Sequence, residues 1–247
     1  MREAFEQLLL PAECLLCRAL LSFRDAARLV CDVCRHRWRP VRPPWCARCG
    51  QPEPVFGRCR LCAEWPPGFT LARSAVWLDA GAREAVHALK YGGLPRIATD
   101  LAAAMVGLDV PGLDSSLLVP VPLGRARLRD RGYNQSERLA RALGRRWRRP
   151  VVDLLVRTRD TVAQTTLTPE ARLANVAGAF ALRATRAGAA TPGHGPGVRP
   201  PGRPLVLVDD VFTTGATLAE AARALDRAGA GAVSAVTFGR AVVPDFT

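Results

Sequence analysis

The sequence has no run of the roughly eighteen apolar residues that a membrane-spanning helix requires. Its start, Met1 to Leu10, carries Arg2, Glu3 and Glu6 among apolar residues. It lacks the basic start, long apolar run and small-residue cleavage site of a secretory signal, so the expected location is the cytoplasm. Acidic residues are scarce: 22 Asp and Glu stand against 35 Lys and Arg, a formal charge of +13. Such a surplus favours anionic partners such as phosphates, nucleic acid or an anionic surface. The basic residues are mostly Arg and spread along the chain, so the surplus equally fits a base composition that writes Arg and Ala often. No Cys follows Met1, which leaves glutamine-amidotransferase chemistry unsupported. Cysteine is absent after Cys62, and this asymmetry is the first sign of a domain boundary.

The chain has 247 residues, 49% of them hydrophobic, enough for one or two globular domains with a real core. Its eight cysteines form four C-x-x-C pairs: Cys14/Cys17, Cys31/Cys34, Cys46/Cys49 and Cys59/Cys62. A reducing compartment gives these thiols no reason to form disulfides. Two thiolates on one tight turn can hold a metal ion, and two such turns complete a tetrahedral Cys₄ site. The count therefore predicts two zinc ions. Sequential pairing would put Cys14, Cys17, Cys31 and Cys34 on one ion and Cys46, Cys49, Cys59 and Cys62 on the other; interleaved pairing is also open. With all four positions taken by sulfur, the zinc is structural. Gly50 follows the third pair where a knuckle needs a tight turn. Residues 1–68 are rich in Pro, Arg and Trp, and a segment of that kind needs metal to fold. Trp38, Trp45 and Trp65, with Arg35, His36, Arg37, Arg39 and Arg42, offer a surface for stacking on single-stranded nucleic acid. The competing expectation is that the tryptophans fill a small core; it is preferred for Trp45 and left open for Trp38.

Residues 69–247 read as an α/β domain. Strands are expected at Leu71–Leu78, Leu117–Val121, Val151–Leu155, Leu205–Val208 and Val233–Phe238. Helices are expected at Ala82–Lys90, Leu94–Leu108, Asn134–Trp147 and Thr217–Gly229, with a short one opened by Thr168-Pro169. Residues 184–204 are Gly-, Pro- and Ala-rich and read as a flexible loop. The alternation implies a mainly parallel sheet flanked by helices, with ligands at the carboxyl ends of its strands.

The most informative string is Leu205-Val-Leu-Val-Asp-Asp-Val-Phe-Thr-Thr-Gly-Ala-Thr-Leu218. An apolar strand ends in two carboxylates, which can accept hydrogen bonds from a sugar diol. Thr213 and Thr214 supply hydroxyls, Gly215 lets the backbone approach an anion, and a helix N-terminus follows. The string is neither a Walker loop nor a dinucleotide fingerprint.

Over all fourteen positions it resembles the phosphoribosyl-pyrophosphate signature of type I phosphoribosyltransferases. The resemblance implies that Asp209 and Asp210, after Val208, contact the ribose hydroxyls, and that Thr213, Thr214, Gly215, Ala216 and Thr217 cradle the 5-phosphate. Further strings resemble the ComF family of competence-associated proteins, which includes the GntX-like proteins. They are Lys90-Tyr91, Pro120-Val-Pro-Leu123, Arg131-Gly-Tyr-Asn-Gln135, and Arg157-x-Arg159 with Gln164, Arg172 and Asn175. The four C-x-x-C pairs match that family's double zinc ribbon.

The family likeness implies a phosphoribosyltransferase-type protein acting in DNA uptake. Arg131, with Asp209 and Asp210, would carry the chemistry. Arg131, Asn134 and Gln135 would form the pyrophosphate or acceptor side, with Lys90 among the basic groups facing the leaving pyrophosphate; Gln164, Arg172 and Asn175 would lie on a flap. Mg²⁺ is expected with the diphosphate. Partners implied are phosphoribosyl pyrophosphate, single-stranded DNA and recombination proteins. The alternative is a non-catalytic DNA-binding protein in which the ribose-phosphate site is regulatory. Nothing in the sequence identifies an acceptor.

Overall fold

A computed structural model describes residues 12–22, 25, 27–52, 59–160, 176–183 and 202–241. Four strands form the central sheet: β1 (Phe69–Trp77), β2 (Leu117–Pro120), β5 (Leu205–Phe212) and β6 (Val233–Arg240). Their order is β1-β6-β5-β2 and every pairing is parallel. β3 (Leu155–Arg157) and β4 (Phe180–Leu182) form a separate antiparallel pair. The helices are α1 (Asp32–His36), α2 (Ala80–Tyr91), α3 (Ala98–Met105), α4 (Arg125–Arg131), α5 (Gln135–Trp147) and α6 (Ala216–Asp226). None of them is long and apolar enough to cross a membrane.

Continuous apolar strands are what a parallel sheet covered on both faces requires. Along β5 the side chains alternate. Val206 and Val208 join α2, α3 and α5 on one face; Leu205 and Leu207 join α6 and the β3–β4 pair on the other. The cysteine-rich segment does not stand apart from these layers. Cys14, Cys34 and Trp38 continue the first core, and Cys49, Cys62 and Trp65 continue the second. The backbone of Pro40 bridges to Val76 of β1, and Asp100 of α3 accepts from the Leu29 N–H at 2.9 Å.

Several expected elements differ in extent. The helix expected over Leu94–Leu108 opens with a 3₁₀ turn at Pro95–Ile97 and becomes α-helical only over Ala98–Met105. Pro95 lacks an N–H and sits at the start of that turn, where none is needed. The strand expected at Val151–Leu155 lies later, at Leu155–Arg157; Val151 makes one isolated bridge to Leu118. α4 carries almost no apolar periodicity and was not expected. β5 runs on to Phe212, so Asp209 and Asp210 sit inside the strand rather than after it. Partners on β6 carry it that far: Asp209 pairs with Thr237 and Phe212 with Arg240. The helix expected at 168, the flap residues Gln164, Arg172 and Asn175, and most of the loop 184–204 lie outside the described residues.

Candidate metal centres and ligand cleft

The sulfurs of Cys14, Cys17, Cys31 and Cys34 lie within 4.8 Å of one another, as do those of Cys46, Cys49, Cys59 and Cys62. Pairing is therefore sequential. Zinc–sulfur bonds of about 2.3 Å place tetrahedral sulfurs roughly 3.8 Å apart. Cys17–Cys31 at 3.7 Å, Cys46–Cys62 at 3.8 Å and Cys49–Cys59 at 3.5 Å match that spacing and are far too long for disulfides. Burial and then the neighbouring sulfurs push the Cys62 thiol up to about 12. A divalent cation relieves both penalties, so the donor set fits zinc. Gly50 has φ +67°, as its place after the third pair requires.

At the carboxyl end of the sheet, a cavity of about 720 Å³ opens between α2, α4, the start of α5 and the loop after β5. Asp209 and Asp210 form part of its floor. The Asp209 Oδ1 accepts from the Ser136 Oγ at 2.7 Å and from the Asp210 N–H at 2.9 Å. The Asp210 Oδ1 faces the Lys90 Nζ at 2.7 Å, while its Oδ2 is buried without a hydrogen-bond partner. Burial, and then the charge of Asp210, push the Asp209 carboxyl up to about 6. Burial works against the Lys90 ammonium, but the Asp210 carboxylate, with Asp209 behind it, outweighs that and raises its pKa. Lys90 is the only lysine in the chain. A compact ammonium on a flexible stem suits this narrow contact, whereas a planar guanidinium would need a second acceptor in its plane.

The loop that follows is shaped by packing. Gly215 has φ +77°, and a Cβ there would lie 2.8 Å from the Phe212 ring and 3.2 Å from Trp65. No side chain caps α6 at Gly215; the Ala216 N–H meets only the Thr214 Oγ1, at 3.4 Å. The positive end of the helix thus lies at the cavity.

Basic groups ring the opening. Arg83, Arg127, Arg131 and Arg157 line it, with Asp130 among them. Burial, and next the like charge of Arg127, lower Arg157 to about 10. Arg131 bonds the Gln135 side chain and lies 5.2 Å over the Tyr91 ring.

Of the residues expected to bind the sugar phosphate, Lys90, Arg131, Gln135, Asp209, Asp210, Thr213, Gly215, Ala216 and Thr217 line this one cavity. Three lie elsewhere. Val208 is fully buried in the sheet core. Thr214 is buried and serves the turn. Asn134 caps α5 through Oδ1 and donates from Nδ2 to the Val121 carbonyl at 3.0 Å, so its amide is spent locally. Sequence reasoning missed Ser136, Arg83 and His87. Arg83, His87 and Tyr91 recur every fourth residue on the exposed side of α2, the ordinary solvated face of an amphipathic helix, so their spacing alone gave no signal.

The tryptophans correct one expectation. Trp38 is buried edge-on to Phe238, and Trp65 is buried in a stack on Phe69. Neither ring is available to a nucleic-acid base. Trp45 is half-buried, with the Arg73 guanidinium 5.5 Å from its ring.

Comparison with known proteins agrees with this architecture. Residues 5–64 match the double zinc ribbon domain. The chain is 31% identical to the DNA utilization protein YhgH of Escherichia coli K12, across 92% of this chain and 96% of that protein. It is 27% identical to the competence protein ComFC of Bacillus subtilis 168, across 91% and 93%. It is 34% identical to the competence protein F of Haemophilus influenzae over a shorter stretch, 45% and 44%. Likeness of this extent, running through ribbons and sheet alike, makes the chain a member of the ComF family, to which these DNA utilization and competence proteins belong.

Proposed function

We propose that this protein binds phosphoribosyl pyrophosphate, or a close ribose phosphate, in the cavity above Asp209 and Asp210, and that it serves DNA uptake, in line with relatives named for DNA utilization and competence. The observation that carries the reading is the buried Asp210 Oδ2, which has no donor and belongs to a cavity-lining carboxylate. A buried carboxylate oxygen left unpaired costs about 1–3 kcal/mol or more. A ribose hydroxyl supplies the missing donor, with Asp209 accepting from the second hydroxyl. The 5-phosphate then meets Thr213, Gly215, Ala216 and Thr217 at the positive end of α6.

A diphosphate fits the rest of the cavity. Arg127 and Arg157 crowd like charges at its edge, and an anion relieves that repulsion. If the bond at the sugar's C1 breaks, pyrophosphate departs with its negative charge, and Arg131, Arg127 and Arg157 are placed to stabilise it. The developing positive charge on the sugar lies over Asp209 and Asp210. Mg²⁺ belongs to this proposal as an ion held chiefly by diphosphate oxygens. The single-strand-binding alternative keeps its charge argument, +13 overall, but loses the stacking by Trp38 and Trp65.

Calorimetric titration of the zinc-loaded protein with phosphoribosyl pyrophosphate and Mg²⁺ tests the reading. Binding by the wild type, lost in Asp209→Asn/Asp210→Asn with the fold intact, is expected. A folded wild type that takes up no ligand rejects it.

A further inference from the structure

The two cysteine clusters sit on different faces of the sheet, and their surroundings differ. Around the first cluster, the described contacts run to β6, α2 and α3, through Trp38 on Phe238, Trp38 near Gly81, and Leu29 on Asp100. Around the second they run to β1, β6 and α6 and, through Trp65 against Gly215, to the loop after β5.

Arg240, the last residue of β6, is 1% exposed and the largest fully buried side chain in the molecule's described part. Its hydrogen bonds go to neutral acceptors: the Cys49 carbonyl at 2.8 Å and the Gln51 amide oxygen at 2.7 Å. Burial lowers its pKa, and the neighbouring groups that work against this are the Cys49, Cys59 and Cys46 sulfurs, which carry negative charge when they hold a metal. A buried cation without such a countercharge is strongly unfavourable. Four thiolates around a divalent ion carry a surplus of two negative charges and supply it.

The other side of the guanidinium lies 4.3 Å from the Phe212 ring centroid. Phe212 is the surface on which Gly215 rests. Trp65 is the second such surface, and it follows Cys62 by three residues, with its N–H on the Cys62 carbonyl at 3.3 Å. Arg48, next to Cys49, ties the Cys62, Pro66 and Phe69 carbonyls together at 2.9–3.2 Å.

We infer that the second cluster, acting through Arg240, Phe212 and Trp65, positions the loop Thr213–Thr217, so that metal occupancy of Cys46, Cys49, Cys59 and Cys62 and anion binding by the loop are coupled. The ligand half of this inference rests on the ribose-phosphate reading above; the loop-positioning half does not. Arg240 and Trp65 are positioning residues: neither lines the cavity. Coupling is reciprocal, so ligand must hold the second metal as strongly as the metal holds the ligand.

Amide hydrogen exchange of the full-length, zinc-loaded protein, without ligand, tests the positioning. Cys59→Ser should speed exchange at residues 213–218 at least tenfold, while Cys17→Ser leaves those amides unchanged. Equal loop protection in both variants overturns the inference. If Cys59→Ser loosens the sheet as a whole, Arg240→Lys decides: it keeps a cation and both metals but loses the fork and the stack on Phe212. Faster loop exchange with two zincs retained supports the inference, and wild-type loop exchange overturns it. In the ligand arm, phosphoribosyl pyrophosphate should slow zinc transfer to a chelator about tenfold for one of two phases, the phase missing in Cys59→Ser. Calorimetric binding with both phases unslowed overturns the coupling. Loop exchange that responds to Cys59→Ser in a protein that binds no phosphoribosyl pyrophosphate upholds the positioning and sinks only the ligand assignment.

Discussion

Replacing Lys90 by Met removes the only cation among the described residues that contacts the Asp210 carboxylate, at 2.7 Å. The side chain of Asp210 is 4% exposed and that of Lys90 is 25% exposed, so water reaches the pair mainly from the lysine side. Breaking a fully buried pair costs about 3–5 kcal/mol; partial access by water places this one at about 2–3 kcal/mol. For a protein of this size that is a fall in Tm of roughly 5–10 °C. The loss must depend on pH. Without Lys90 the two carboxylates lose their nearest cation and repel more strongly, and Asp209, already raised to about 6, titrates higher still. Below that value one carboxylate takes up a proton and the repulsion disappears. Urea unfolding of wild type and Lys90→Met at pH 5 and pH 8 measures this. The variant should lose most at pH 8 and recover part of the difference at pH 5. Adding Asp210→Asn should restore stability beyond the sum of the single changes, by about 1–2 kcal/mol in a double-mutant cycle. A Lys90→Met protein as stable as wild type at pH 8, or a loss independent of pH, refutes the buried-pair account.

Metal analysis should find close to two zincs per chain, and removing them should lower Tm markedly, because both clusters are built into the sheet's cores; zinc-free protein with an unchanged Tm contradicts this. Ser136→Ala removes the hydroxyl that donates to Asp209 at 2.7 Å, and should cost about 1–3 kcal/mol at pH 8 and raise the Asp209 pKa, readable by carboxyl NMR titration. Asp209 itself is raised in the folded state from an ordinary 3.8 to about 6. Its stabilising contribution is therefore complete below about pH 4 and lost as pH climbs through 6, a slope that Asp209→Asn should abolish in denaturant titrations. Gly215→Ala, with a Cβ 2.8 Å from Phe212 at φ +77°, should cost about 2 kcal/mol and weaken ribose-phosphate binding, whereas Gly229→Ala, at φ +78° with nothing within 4 Å, should leave binding intact in the same calorimeter.

Local rules made much of the fold legible. C-x-x-C spacing announces metal turns because two sulfurs on one tight turn can share an ion. Apolar runs announce β2, β5 and β6 because a parallel sheet is buried on both faces. The string Leu205–Leu218 was readable because strand, carboxylates, glycine and helix start are contiguous. Residues joined only by folding were not. Ser136 is 73 residues from Asp209, and Arg240 is 191 from Cys49. Nothing in the chain near Arg240 reveals that its guanidinium bonds the Cys49 carbonyl and the Gln51 side chain at the opposite end.

By itself, then, the sequence determined the four C-x-x-C pairs, the parallel α/β layering and the strand–turn–helix over Leu205–Leu218, all products of short-range spacing and hydrophobic period. Only the tertiary structure decided which cysteine pairs share an ion, that Trp38 and Trp65 are core rather than surface, and that Lys90 faces Asp210. Those outcomes depend on which faces must be covered and which buried charges must be matched, and both are set by packing between segments far apart in the chain.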